Sequence, residues 1–173
     1  MNFTSLMPVA AAQTVRNDLD MALVVDTSGS IGAAGPGVRT AAKSFLSKFN
    51  VTQDRVALIH FASGAVVDAP ISPSARGFNR SAMNTKINNF SFEDGTASVQ
   101  GMWNARDQLN KVPQGSRSTM RVIVFFSDGA PTALGSYLIF DNKDKDCIEP
   151  GTLDSGSPIY ALGELDSASF NYV

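Results

Sequence analysis

A single cysteine, Cys147, and a single histidine, His60, occur in this chain of 173 residues. One cysteine excludes an internal disulfide and any cysteine-built metal cluster. With only one histidine beside it, the ligand set that zinc favours is missing. Cationic patches are also missing. The 14 Lys and Arg residues are spread along the chain, and against 16 Asp and Glu they leave a formal net charge of −2. That balance excludes nucleic acid as the main partner. No apolar run approaches the ~18 residues a membrane-spanning helix needs, so no membrane contact by this segment is expected. Residues 1–17 lack the basic start and solid apolar stretch of a secretion signal and read as a lead-in segment or linker. The Gly-rich stretch "SGSIGAAGPG" from Ser28 has no G-K-[ST], which argues against a phosphate loop. No G-x-S-x-G elbow is present either, so His60 has no evident nucleophile to serve.

What remains is an ordinary globular composition, 43% hydrophobic and 17% charged, in a length that suits one domain with a full core. The run "LDMALVV" (Leu19–Val25) is too continuously apolar for a half-exposed strand and suits one covered on both faces. In "VRTAAKSFLSKF", Val38, Ala41, Ala42, Phe45, Leu46 and Phe49 recur at helical spacing. "RVALIHFA" (Arg55–Ala62) predicts a second strand, and "AVVDAPI", ended by prolines, an edge strand in a hairpin with it. Helices are predicted over Arg80–Phe90 and over Ser98–Val112, the latter with a Ser or Thr N-cap and with Met102 and Trp103 as core. Met120–Ser127 predicts another fully buried strand. After Pro131 the pattern becomes irregular, with an apolar island at Tyr137–Phe140 and a further candidate strand at "PIYAL". The alternation points to an α/β fold, Rossmann-like and in three layers: a mainly parallel sheet, one antiparallel edge strand, and helices on both faces. The final helix of such a fold is not evident, so the C-terminal part is expected to be incomplete.

Two of the apolar strands end in a carboxylate. Asp26 follows "MALVV", and Asp128 closely follows "RVIVFF". In an open parallel sheet, ligands gather beyond the carboxyl ends of the strands, so both carboxylates fall where a ligand would bind. They repel each other unless a cation lies between them, and no Lys or Arg is placed locally to serve. Ser28 and Ser30, two apart, can turn both hydroxyls to one point, and Thr96 brings a third from the "DGTAS" loop. A few oxygen ligands, neutral and anionic, are what Mg²⁺ or Mn²⁺ accepts, and Ca²⁺ also takes oxygen ligands.

These residues carry a resemblance. Asp26-Thr27-Ser28-Gly29-Ser30 after a strand, Gly95-Thr96 before a helix and Ser127-Asp128-Gly129 after another strand resemble the metal-ion-dependent adhesion site of the von Willebrand factor A (integrin I-like) domain. "DRVALIHFAS" is similar to that family's second strand, and the match spans Asp18 to about Pro131. The resemblance implies a domain over residues 18–173 with a long irregular segment after residue 131. It implies that Ser28 and Ser30 ligate the metal directly, Thr96 directly in a ligand-competent state, and Asp26 and Asp128 mostly through water. One metal position is then left for an acidic side chain of a protein partner. Asp94 departs from the family, standing where a first Gly is usual and adding negative charge. Within the family, the flow "MALVVDTSGSI…FFSDGAPTA" looks most like bacterial envelope proteins of the tight-adherence pilus assembly group. The implied function is non-enzymatic, metal-dependent protein binding in adhesion or pilus assembly, at the cell envelope or outside the cell. The alternative is an intracellular, cytoplasmic subunit that couples to an ATPase or chelatase complex.

Three other motifs weigh less. "FEDGTAS" has Phe92 where a phosphotransferase D-x-D-G-T loop needs Asp. "DNKDKDCIE" spaces Asn142, Asp144 and Asp146 like the start of a calcium loop, but Cys147 stands where glycine is needed. His60 is expected to be a strand histidine satisfied by a hydrogen bond.

Overall fold

A computed structural model describes residues 17–92, 95–129 and 131–135, with the backbone at strand positions 147–148, 165–166 and 169–170. The lead-in segment up to residue 16, Asp94, the Tyr137–Phe140 island, the acidic residues around Cys147 and the "PIYAL" stretch lie outside the described residues.

Strand β1 (Leu19–Asp26) is buried along its whole length because it has a neighbour on every side. Strand β2 (Arg55–Phe61) pairs with it in parallel on one edge, and β4 (Met120–Phe126) in parallel on the other. Strand β3 (Ala65–Ala69) folds back antiparallel on β2, giving a sheet ordered β3-β2-β1-β4. Alternate residues of β1 then serve two cores, as the strand's two-residue period requires. Met21, Leu23 and Val25 face helices α1 (Gly35–Leu46) and α2 (Arg80–Asn88) through Ala42, Leu46, Met83 and Ile87. Ala22 and Val24 face helix α3 (Ser98–Asn110) through Ala105 and Leu109. The result is the expected α/β architecture: a mixed sheet with one antiparallel pair and helices on both faces. Two-residue strands β5 (Leu134–Gly135) and β6 (Cys147–Ile148) pair with each other, as do β7 (Leu165–Asp166) and β8 (Ser169–Phe170).

The element boundaries show where local rules were overridden. Helix α1 starts at Gly35, earlier than the apolar periodicity from Val38 suggests. Pro36 in its first turn needs no hydrogen-bond acceptor and has its φ already set for a helix. Helix α2 has the regular cap, the Asn79 side chain accepting from Ala82 N at 2.9 Å. Helix α3 has no Ser or Thr cap; its N-cap is Ala97, whose N–H donates to Ala62 O at 2.6 Å, tying the helix to the end of β2. A Cβ at Gly101 would lie 2.9 Å from the Phe61 ring, so glycine there lets α3 settle onto the sheet.

Strand β4 departs from the fully buried strand expected. It is half-exposed, with Met120 and Phe126 open, because it forms the edge of the described sheet. Met102 and Trp103 are likewise not core. They line an open apolar groove of about 570 Å³ between α3 and β4, with Val99, Ile123 and Phe125. Arg106 lies over the Trp103 ring at 4.1 Å.

The amino ends of the strands are knotted by a buried carboxylate. Asp20 is fully buried; it accepts from Arg55 Nη1 at 3.1 Å and from Ser118 N and Oγ at 2.7 Å each. Burial pushes the Asp20 carboxyl up, but the Ser118 and Arg55 hydrogen bonds and the guanidinium charge outweigh it and hold the group below the usual carboxylate range. A depressed folded-state value stabilises the fold above the ordinary carboxylate range, and that stability is lost as pH falls through the folded value. Asp20→Asn should therefore lower stability at neutral pH by about 3–5 kcal/mol, since it leaves the Arg55 charge buried and unpaired. It should also flatten the acid limb of a stability profile, as read by urea unfolding between neutral and acid pH.

Candidate metal centre

Parallel pairing delivers the carboxyl ends of β1 and β4 to one edge of the sheet. The register sets Val25 opposite Phe126, which makes Asp26 and Ser127 the first residues past that pair. Asp26 is 1% exposed, and both its oxygens are engaged. Oδ1 accepts from Ser28 N at 2.8 Å, and Oδ2 accepts from Ser127 Oγ at 2.6 Å. Thr27 turns inward, and both its N–H and its hydroxyl donate to Phe61 O, at 2.8 and 3.0 Å. With Thr27 pinned to the end of β2, the flanking loop directs Ser28 and Ser30 together, their hydroxyl oxygens 3.0 Å apart. Ser30 Oγ in turn donates to Asp128 Oδ1 at 3.0 Å. Asp26, Ser28, Ser30 and Asp128 thus fall in one local cluster.

Thr96 is attached differently. It is buried, its N–H donates to Thr132 Oγ1 at 2.9 Å, and its carbonyl accepts from Thr132 N and Ala133 N. It is fastened to the same post-β4 segment that carries Asp128, but among the described residues its hydroxyl makes no hydrogen bond to the other four. Gly95 N, beside it, donates to Ser63 Oγ at 3.0 Å.

Two residues of this neighbourhood were missed as participants. Ser127, quoted in the Ser127-Asp128-Gly129 motif but given no role there, orients Asp26 through the parallel register of β1 and β4. Thr132 anchors Thr96 from beyond a proline, with no motif to mark it.

Among the described residues neither Asp26 nor Asp128 has an ion-pair partner, and no group of three or more His, Cys, Asp or Glu gathers there or elsewhere. The donor set is hard oxygen: two carboxylates and neighbouring hydroxyls, which suits Mg²⁺, Mn²⁺ or Ca²⁺ rather than zinc. The 3.0 Å between the two serine oxygens also fits adjacent ligands of a small octahedral ion, which lie about 2.9 Å apart at metal–oxygen distances of 2.0–2.1 Å. An apolar hollow of about 200 Å³ adjoins the carboxylates, lined by Ile31, Ala34, Val38 and Phe126.

The family profile of the von Willebrand factor type A domain matches residues 20–150, most of the chain. The chain belongs to that family. The fold of this von Willebrand factor type A domain is shared by solved proteins from bacteria and from a mussel. Against three N-terminal domains of the type V pili tip protein Mfa5 from Porphyromonas gingivalis the TM-score is 0.59, at 19% identity over 69% of this chain and 21% of that one. Against the pilus adhesin SpaC from Lactobacillus rhamnosus GG it is 0.55, at 26% identity over 70% of this chain and 16% of that one. Proximal thread matrix protein 1 from the mussel byssus gives 0.53, at 21% identity over 66% of this chain and 30% of that one. The domain therefore spans less than a third of the length of each of these proteins.

The two hydroxyls that touch the carboxylates should differ in weight. In divalent-free buffer, Ser127→Ala removes a donor to the buried Asp26 and should cost about 1–3 kcal/mol in urea unfolding. Ser30→Ala, at an exposed position, should stay within about 0.5 kcal/mol of the parent.

Proposed function

We propose that this domain is a divalent-cation-dependent protein-binding module that engages a carboxylate on a protein partner, in adhesion or assembly at a bacterial cell surface. The observation that carries the reading is the cluster built by Asp26, Ser28, Ser30 and Asp128 at the carboxyl edge of the sheet. Its carboxylates have no side-chain cation among the described residues, and its hydroxyls sit within one coordination shell of each other. In this reading Ser28 and Ser30 ligate directly, Thr96 does so in the partner-bound state, and Asp26 and Asp128 act mainly through water. When bound, a Mg²⁺ or Mn²⁺ ion (Ca²⁺ being the other oxygen-loving choice) supplies a positive centre with an open position for the partner's carboxylate. Among the described residues two anionic groups share the site, enough to balance the charge of a divalent ion.

Other observations support the same reading. The solved relatives include a pilus tip protein and a pilus adhesin. Among the described residues no helix is long and apolar enough to cross a membrane. The reading is non-enzymatic: His60 Nδ1 lies 2.7 Å from Asp68 and its ring packs on Phe90, so the imidazole is committed to the β2–β3 hairpin.

Calorimetric titration of EDTA-stripped protein with Mg²⁺, Mn²⁺ and Ca²⁺ tests the proposal. Binding at one site is expected, lost in Asp26→Ala and in Asp128→Ala, and weakened about 10–100-fold in Ser127→Ala, which touches a site carboxylate without being a ligand. Asp128 is exposed, so its variant keeps the fold and isolates the ion's contribution. An unmodified domain that takes up none of the three ions overturns the reading.

A further inference from the structure

The polar cluster and the apolar hollow beside it are built by the same two stretches of chain. Ile31 follows Ser30 directly, and Phe126 directly precedes Ser127 and Asp128. Ile31, Ala34 and Val38 are spaced by three and then four residues across the 3₁₀ turn at Gly32–Ala34 and the start of α1, so they form one stripe. Ala34 N donates to Ile31 O at 2.8 Å and closes that turn. From the end of β4, Phe126 lines the same hollow, its ring set edge-on to Phe45 of α1 with centroids 5.7 Å apart. Asp26, Ser127 and Asp128 complete the lining, so the hollow of about 200 Å³ opens onto the carboxylates of the cluster.

Size, exposure and position fit this hollow to a single apolar side chain of the partner. Small-molecule pockets usually run to ~300–1,000 Å³, and this one is smaller. Its walls are open: Ala34 and Asp128 are exposed, and Phe126 is 37% exposed. Of the large apolar side chains exposed among the described residues, Phe126 is the one that lines the hollow. Between Ile31 and Val38 the stripe carries only the methyl group of Ala34, which leaves the space unfilled. The wider groove between α3 and β4 shares no residue with the cluster, so a group held there is not tied to the carboxylates.

We propose that the hollow is the specificity pocket of the site. It takes a branched aliphatic side chain, of the leucine kind, one or two residues away from the carboxylate that the partner gives to the cation. The inference rests on the cation reading of the cluster and extends it, naming the recognition element as an acidic residue with an aliphatic neighbour. The short separation follows from the shared lining, because consecutive Cα atoms are only 3.80 Å apart. The two halves of the contact act differently. A cation accepts any carboxylate and does not choose among acidic segments. The hollow chooses, because filling it removes apolar surface of both the incoming side chain and Phe126 from water.

The test uses the full chain, Mg²⁺, and the blocked peptide Gly-Gly-Asp-Gly-Gly with its four single-leucine versions, titrated by amide NMR. At least one leucine version should bind about tenfold or more tightly than the all-glycine peptide, the size of effect expected for apolar groups in a pocket. Its shifts should include the amides of Ile31, Ala34 and Phe126. Ala34→Phe, which fills the hollow at an exposed position, should abolish the leucine advantage while keeping the parent's Mg²⁺ affinity. Val38→Thr, which keeps the shape of the wall but adds a hydroxyl, should reduce the advantage in the same way. A parent that binds Mg²⁺ but gains nothing from leucine at any position would overturn the pocket. So would an advantage that survives undiminished in both variants. A parent that takes up no Mg²⁺, yet prefers leucine peptides through Ala34 and Val38, would overturn the cation reading while upholding the pocket.

Discussion

The in-register parallel pairing of β1 with both β2 and β4 is the constraint on which the rest of the structure depends. Parallel strands deliver their carboxyl ends to the same edge, so a single choice of register places Asp26 beside Ser127 and beside Phe61 O at once. Shift β4 by one residue and every side chain changes face. The Ser127 hydroxyl would leave Asp26, and Asp128 would leave Ser30. Among the described residues the cluster is joined by hydrogen bonds from hydroxyls and one amide. It inherits its geometry from the ladder beneath it.

The two ends of the sheet treat charge in opposite ways. At the amino end, Asp20 and Arg55 are a buried pair that also engages Ser118 and the Ser116 and Ala75 carbonyls. The pair joins β1 to β2 and to the approach to β4, at the cost of desolvating both charges. At the carboxyl end, Asp26 is buried with hydroxyl and amide donors and Asp128 stands open, with no cation beside either among the described residues. One end has its charge closed off within the protein, and the other presents it outward. Such a division leaves the chemically unsatisfied end free to change its contacts without loosening the core.

Helix α1 connects the two layers of this design. Its inner face, Ala42 and Leu46, is part of the core beneath β1, while its first turn grips Phe92 and continues the loop of Ser28 and Ser30. Helix α3 plays a matching part on the other face, where Gly101 allows close approach to Phe61 and the Ala97 N–H holds the helix start to Ala62. Both helices begin at the carboxyl edge of the sheet, and both begin without a side-chain cap. Their starts are positioned by tertiary contacts to neighbouring strands and loops, which is why the helices can carry site residues immediately before them.

Much of this was legible in the sequence, for reasons that are local. Apolar runs such as "MALVV" and "RVALI" declare buried strands, helical spacing declares α1, α2 and α3, and a short loop confines Ser28 and Ser30 to one neighbourhood whatever else the chain does. The two aspartates and two serines of the cluster could be named because each lies within a few residues of a strand end. What the tertiary structure alone decided depends on partners distant in sequence. Ser127 orients Asp26 through a register between residues 101 apart. Thr96 owes its anchoring to Thr132, Trp103 and Met102 face a groove because β4 is an edge, and Phe92 needs a glycine on another element to lie against. Periodicity reports which side of a residue is apolar. It cannot report what will stand on that side, because that is fixed only when the strands have paired and the helices have closed over them.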